Sequence, residues 1–243
     1  MSLFFKNKTI WIIGGSRGIG LALAKKLAAR GAKIIVSARK KPHDNFPHTF
    51  IPLDVTNRKE LTRLAKKMNG VDGVIYSSGI LAPSLVSDID EQHLSDLIAT
   101  NILPPTIITA HMARDLEKRR GFLVFMGSVA GEYGLPLSQP YAGGKNYLRN
   151  FAESVAVEHP HMQTHLIAPG FVKTDMTSGN RFVMPFMLSA EKAADIILFG
   201  IALNKFYIAF PWPTHLMMNS TSLLPAIIRR WVWRHFGHLF IKK

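Results

Sequence analysis

Apolar positions along the chain follow two alternating rhythms. Short β-branched runs at 9–13, 33–37, 49–52, 71–76, 122–126, 164–167 and 206–210 read as strands. Between them, longer stretches at 19–30, 58–68, 91–118, 141–158 and 190–203 carry apolar residues at helical spacing. Several strand runs are apolar almost throughout, as strands covered on both faces by helices require. Strand and helix in steady succession predict a parallel sheet with right-handed crossovers. The expected fold class is α/β, a doubly wound parallel sheet of about seven strands in a single domain spanning 1–243. Neither an internal repeat nor a Pro/Gly/Ser-rich linker divides it.

Composition agrees with this picture. The 243 residues are 47% hydrophobic and 19% charged, enough apolar material for a sizeable core and too much for a disordered chain. Every apolar run is too short for a transmembrane span, and residues 1–15 lack the basic leader of a signal peptide. The lack of cysteine removes disulfides, thiolate zinc sites and iron–sulfur clusters. It is compatible with a reducing compartment, so the expected location is cytoplasmic, with a peripheral position at a membrane as the alternative. Thirty Lys and Arg against 16 Asp and Glu give a net charge of +14, which favours anionic partners. The surplus lies in short scattered groups, with no nucleic-acid motif and no aromatic residues interleaved, so nucleic acid is not an expected partner. His159, His161 and His165 lack carboxylates at ligand spacing, and no metal site is expected.

The first strand runs into Gly14-Gly15-Ser16-Arg17-Gly18-Ile19-Gly20, which opens directly into a helix. Glycines in this context let the backbone turn tightly and approach a pyrophosphate seated on the free N–H groups of a helix N-terminus. That makes the sheet Rossmann-type. The second strand ends Val36-Ser37-Ala38-Arg39-Lys40-Lys41, where a carboxylate would be wanted for a free ribose 2′-hydroxyl. Small Ala38 followed by Arg39, with Arg17 in the loop, offers room and positive charge for a 2′-phosphate, so the expected cofactor is NADP(H). A solvated basic strand end is the plainer reading of Arg39 and Lys40.

The glycine spacing, three then one, resembles the short-chain dehydrogenase/reductase family. The family's catalytic Asn, Ser, Tyr and Lys find matches at Asn101, Ser128, Tyr141 and Lys145, the last two within Tyr141-Ala142-Gly143-Gly144-Lys145. Ser128 closes a strand thirteen positions before Tyr141, and Asn101 precedes it by 27. Pro169-Gly170-Phe171-Val172-Lys173-Thr174 is similar to the family's nicotinamide-side loop, and Asp54, beside Val55, to the residue that meets the adenine ring. Two positions depart from the pattern: Ile13 stands where the family has threonine, and Tyr76-Ser77-Ser78-Gly79 where it has Asn-Asn-Ala-Gly. The resemblance covers residues 9–176. It implies a homodimer or homotetramer and a cofactor cradle of Gly14, Ser16, Arg17, Gly18, Ile19, Gly20, Arg39, Asp54, Val55, Ser78, Gly79, Tyr141, Lys145, Pro169, Gly170, Val172 and Thr174.

Carbonyl reduction needs hydride at carbon, a proton at oxygen and stabilisation of the charge between. Tyr141 is the expected proton donor, and Lys145, one helical turn on, is expected to lower the phenol's pKa. The resemblance implies that Ser128 holds the substrate oxygen, that Asn101 anchors a water near Lys145, and that Val172 and Thr174 hold the nicotinamide amide. The expected activity is NADPH-dependent reduction of a lipophilic ketone or aldehyde to an alcohol. The alternative is a non-catalytic NADP(H)-binding sensor or scaffold. Met176, Phe182, Met184, Pro185, Phe186 and Met187 suggest either an adaptable apolar pocket or core packing. Residues 222–243 read as a basic amphipathic C-terminal helix, with Leu224, Ile227, Ile228, Trp231, Val232, Phe236, Leu239 and Phe240 among Arg229, Arg230, Arg234 and His238. It docks either on protein or on an acidic membrane surface.

Overall fold

The computed structural model describes all residues except Met1, 43–45, Ala82, 179–183 and 237–243. Its strands are β1 (Thr9–Ile13), β2 (Lys33–Ala38), β3 (Thr49–Pro52), β4 (Gly73–Tyr76), β5 (Phe122–Met126), β6 (Gln163–Pro169), β7 (Val172–Lys173), β8 (Leu188–Ser189) and β9 (Tyr207–Phe210). The helices are α1 (Ser2–Phe5), α2 (Gly18–Ala29), α3 (Arg58–Lys67), α4 (Glu91–Leu97), α5 (Leu103–Lys118), α6 (Gln139–Glu158), α7 (Asp175–Ser178), α8 (Ala190–Ala202), α9 (Trp212–Ser222) and α10 (Ala226–Phe236).

Seven parallel strands form one sheet in the order β3-β2-β1-β4-β5-β6-β9, and β7 and β8 form a separate parallel pair. Alternation within β1 explains how the sheet is covered on both faces. Ile10 and Ile12 point into a core shared with Leu23 and Leu27 of α2 and Ile197 and Ile201 of α8. Trp11 and Ile13 point into the opposite core, with Leu61 of α3, Met112 of α5 and Leu148 of α6. The Trp11 indole N–H, which burial would otherwise strand, donates to Ser37 Oγ at 2.9 Å.

Strand order reverses between β1 and β4: β2 and β3 follow on one side, β4, β5, β6 and β9 on the other. Open α/β sheets leave a crevice at the carboxyl ends of the strands at such a point. The glycine loop after β1 and Ser77–Ser78–Gly79 after β4 both sit there, tied by Ser77 N–H donating to the Ile13 carbonyl at 2.7 Å.

The helix expected over 91–118 is broken. A π-helical turn, Ile98–Ile102, separates α4 from α5, with Leu103 N–H donating to the Ile98 carbonyl. The cause is Pro104-Pro105: neither residue has an N–H, so the carbonyls of Thr100 and Asn101 lose their ordinary helical donors. Thr100 O instead accepts the hydroxyl of buried Tyr76 at 2.5 Å. The tyrosine that departs from the family's asparagine thus supplies the missing donor.

The C-terminal expectation also changes. The helix predicted across 222–243 is observed as α10, preceded by an unforeseen helix α9 whose first turn holds Pro213, a position that needs no N–H. The expected single apolar stripe is divided: Val232 and Trp233 are half-buried, whereas Ile227, Ile228 and Trp231 face solvent. Leu239, Phe240 and His238 lie outside the described residues.

Candidate active site

A cavity of about 1060 Å³ opens at the switch point and extends beneath α9 and α10. Its first wall is the glycine loop. Gly14 has φ +85°, and a Cβ there would come within 2.6 Å of Ser78 N, so only glycine lets the two loops close on each other. Arg17 caps α2 without a side-chain hydrogen bond, which leaves the first-turn N–H groups available to a ligand. Ser16, Arg17, Gly18 and Ile19 line the cavity. Gly20, expected in the cradle, is absent from that lining; a Cβ on it would sit 2.2 Å from the Gly14 carbonyl, so it serves the close approach of helix to loop.

Ala38, Arg39 and Lys40 line the same end, with no carboxylate closing β2. Arg17 Nη1 stands 3.6 Å from Asp175 Oδ2, both side chains largely exposed. Asp54 and Val55 form the next stretch of wall. Asp54 accepts from Thr56 N–H at 3.0 Å and Thr56 Oγ1 at 2.8 Å. Those hydrogen bonds, backbone first, hold its carboxyl below the usual range, with a further contribution from the Arg39 charge. Ser78, Gly79, Pro169, Gly170, Val172 and Thr174 complete the middle of the cavity. Open helix N–H groups and a glycine cradle together fit the pyrophosphate of an extended dinucleotide.

The far end holds the catalytic candidates. Tyr141 and Lys145 sit one turn apart on α6, the ammonium 5.4 Å from the centre of the phenol ring. Lys145 is buried, and its Nζ donates to the Met126 carbonyl at 2.6 Å. Burial lowers its pKa to about 8. The Ser128 side chain lies near the Tyr141 hydroxyl. Burial raises the phenol's pKa, and the Ser128 contact opposes that only in part. The net shift of the phenol is therefore upward and set by burial, while the Lys145 ammonium beside it holds the Met126 carbonyl. Ser128 Oγ also accepts from Ala130 N–H at 3.1 Å and donates to the Pro169 carbonyl at 3.4 Å.

Asn101 stands apart from this group. It is fully buried, and its amide is held by one residue, Oδ1 accepting from Ile80 N–H and Nδ2 donating to Ile80 O, both at 2.9 Å. Thr100, not Asn101, lines the cavity. Asn101 fixes the π turn to the loop after β4, beside Gly79.

Much of the remaining lining is apolar, from Leu135, Met176, Pro185, Met218, Val232, Trp233 and Phe236 with Tyr133 among them, beside the hydroxyls of Ser138, Thr214 and Thr221. Of the loop residues expected there, Met176 and Pro185 take part, whereas Phe186 and Met187 are exposed and Phe182 lies outside the described residues. The sequence reading missed Tyr133, Met218 and Trp233, which share no periodicity or motif. Tyr133 joins them: its hydroxyl donates to Met218 Sδ at 3.5 Å, and Trp233 lines the same cavity. The histidines serve the scaffold. His159 Nδ1 meets Glu117 at 2.7 Å and buried His165 Nδ1 meets the Lys205 carbonyl at 2.7 Å.

Comparison with known proteins bears on this geometry. The family model described as short chain dehydrogenase matches residues 8–182. An uncharacterized oxidoreductase of Myxococcus xanthus is 27% identical over 235 residues, 90% of this chain and 93% of its own. The 3-oxoacyl-acyl-carrier-protein reductase FabG of Vibrio cholerae is 31% identical over 186 residues, 71% of this chain and 76% of its own. Among solved structures, a short chain dehydrogenase from Burkholderia cenocepacia in complex with NADP superposes with TM-score 0.83 at 19% identity, covering 96% of this chain and 98% of that one. On its sequence as well as its fold, the chain belongs to the short-chain dehydrogenase family of oxidoreductases.

Proposed function

We propose that this protein reduces a lipophilic ketone or aldehyde to an alcohol with NADPH. The observation that carries the reading is one continuous cavity, basic and glycine-walled at one end, apolar at the other, with Ser128, Tyr141 and Lys145 between. The carboxylate-free end of β2 with Arg39 supports a 2′-phosphate and so NADP(H) over NAD, as does the NADP bound by the Burkholderia relative. The residues proposed to hold it are Gly14, Ser16, Arg17, Gly18, Ile19, Arg39, Asp54, Val55, Ser78, Gly79, Pro169, Gly170, Val172 and Thr174, with Tyr141 and Lys145 at the reactive end.

When bound, NADPH supplies the hydride. The Ser128 hydroxyl donates a hydrogen bond to the substrate carbonyl oxygen and orients it toward Tyr141. Tyr141, kept protonated by its raised pKa, transfers the phenolic proton as charge develops on that oxygen. Lys145 favours the resulting phenolate by its charge and would hold the cofactor's ribose hydroxyls. Asn101 acts on position only, by holding the loop that carries Gly79. The apolar lining favours substrates with an extended hydrocarbon part, and an acyl chain bearing a 3-oxo group, as in the Vibrio relative's name, belongs to that class. The active assembly is proposed to be a homodimer or homotetramer, to be measured by light scattering.

The test is NADPH oxidation with medium- and long-chain ketones, aldehydes and 3-oxoacyl thioesters. Tyr141→Phe should lower kcat by about 10²–10⁴-fold while leaving NADPH affinity within a few-fold. Equal turnover by both proteins would remove Tyr141 as the acid. NADPH binding without turnover on any substrate would favour a sensor or scaffold.

A further inference from the structure

Two consecutive helices at the C-terminal end expose large apolar side chains that no described residue covers. Trp212 and Leu216 lie one turn apart on α9 and are 72% and 56% exposed. The inner face of α10 is occupied: Arg229 lies over the Tyr133 ring at 5.7 Å, and Val232, Trp233 and Phe236 line the cavity. Its outer face carries Ile227 and Trp231, 68% and 54% exposed, flanked by Arg230 and Arg234, also exposed. A helix with both faces apolar and arginines between them has a second surface to satisfy.

Charge selects among the surfaces that could satisfy it. From residue 196 onward the sequence contains no Asp or Glu. A symmetric contact with a second copy sets a patch against itself, so Arg230 and Arg234 would meet their own equivalents with no carboxylate in α9 or α10 to pair with them. An acidic soluble protein would answer the arginines, but such proteins rarely offer the broad apolar area that Ile227, Trp231, Trp212 and Leu216 require. An anionic bilayer offers both, with headgroup charge for the arginines and an interfacial layer suited to tryptophan. We propose that α9 and α10 dock this protein on an anionic membrane surface. The docking does not depend on the carbonyl-reductase reading. If both hold, the helix that seats on lipid also forms a wall of the apolar cavity.

Co-sedimentation of the full chain with vesicles tests this, using phosphatidylcholine alone and an equal mixture with phosphatidylglycerol. The wild type should bind the mixed vesicles at roughly 0.1 M salt, release at roughly 1 M, and ignore phosphatidylcholine. Replacing Arg230 and Arg234 together by Gln should weaken binding about 25-fold, roughly fivefold for each charge. The pair Ile227→Gln and Trp231→Gln should weaken it at least about tenfold. Lys66→Gln with Lys67→Gln, an equal loss of charge from exposed α3, should change little. Circular dichroism melts establish that each variant is folded. The proposal is overturned if the wild type ignores anionic vesicles, or if the Lys66 and Lys67 pair weakens binding as much as the arginine pair. It also fails if the Ile227 and Trp231 pair dissociates an oligomer without affecting vesicles, or if the patch captures an acidic carrier protein but no lipid.

Discussion

Lys145 is buried beside a phenol, with one carbonyl to receive its proton donors, and its pKa falls to about 8 from the ordinary 10.5. The direction follows from desolvation of the ammonium, and it has a consequence for stability. Between the two values the unfolded chain binds more protons than the folded one, so Lys145 makes the fold more stable as pH rises through that window. Below pH 8 its full penalty is present; above about 10.5 it has gone. Urea unfolding of the cofactor-free protein, wild type against Lys145→Met, isolates the effect. The wild type should gain about 2–3 kcal/mol relative to the variant between pH 7 and pH 10. Parallel pH dependence of the two proteins would mean that the ammonium is solvated. The pairing of Tyr141 with Lys145 was legible in the sequence because four residues make one helical turn. The sign of the phenol's shift was not, because it depends on how deeply Tyr141 is buried in the fold, which spacing does not encode.

At the scale of elements, the π turn decides where the central helix can carry chemistry. Pro104-Pro105 frees two carbonyls, Tyr76 satisfies one of them, and Asn101 bolts the turn to Ile80. The prolines were visible in the sequence, yet the apolar period continues across them, and period alone reads 91–118 as one helix. Asn101 was identified by position; its clamp on Ile80 was hidden, because that pairing joins residues 21 apart through a loop with no pattern of its own. Asn101→Leu removes both hydrogen bonds and leaves the N–H and carbonyl of half-buried Ile80 without these partners. A fully buried group costs about 1–3 kcal/mol, so with two half-buried ones the variant should lose about 1–4 kcal/mol by urea denaturation, a large share of a domain's stability. A loss under about 0.5 kcal/mol would show that water replaces the amide, and the clamp would then be incidental.

Across the whole molecule, the strands were the most legible feature. The central strands are buried on both sides, so local sequence and tertiary position agree; β5, for example, is predicted and observed over the same five residues. The apolar end of the cavity was the least legible. It is assembled from the loop before α6, α7, α9 and α10, segments that meet only when the sheet has formed. The end of the cavity proposed for the cofactor joins both halves of the sheet through the loops of β1, β2, β4 and β6, so a ligand there must stabilise the entire domain. A ligand that binds only the folded state adds about 2.7 kcal/mol at a concentration one hundred times its Kd, which for a domain of this size raises Tm by about 5–10 °C. NADPH should produce that rise. NADH lacks the 2′-phosphate and hence the charge-assisted hydrogen bonds proposed for Arg39, worth about 1.5–3 kcal/mol. At equal concentration its shift should be smaller by several degrees, and Arg39→Gln should bring the two shifts together by reducing the NADPH effect. An NADH shift equal to or larger than that of NADPH would return Arg39 and Lys40 to the status of a solvated strand end, while leaving the glycine cradle and Tyr141 untouched.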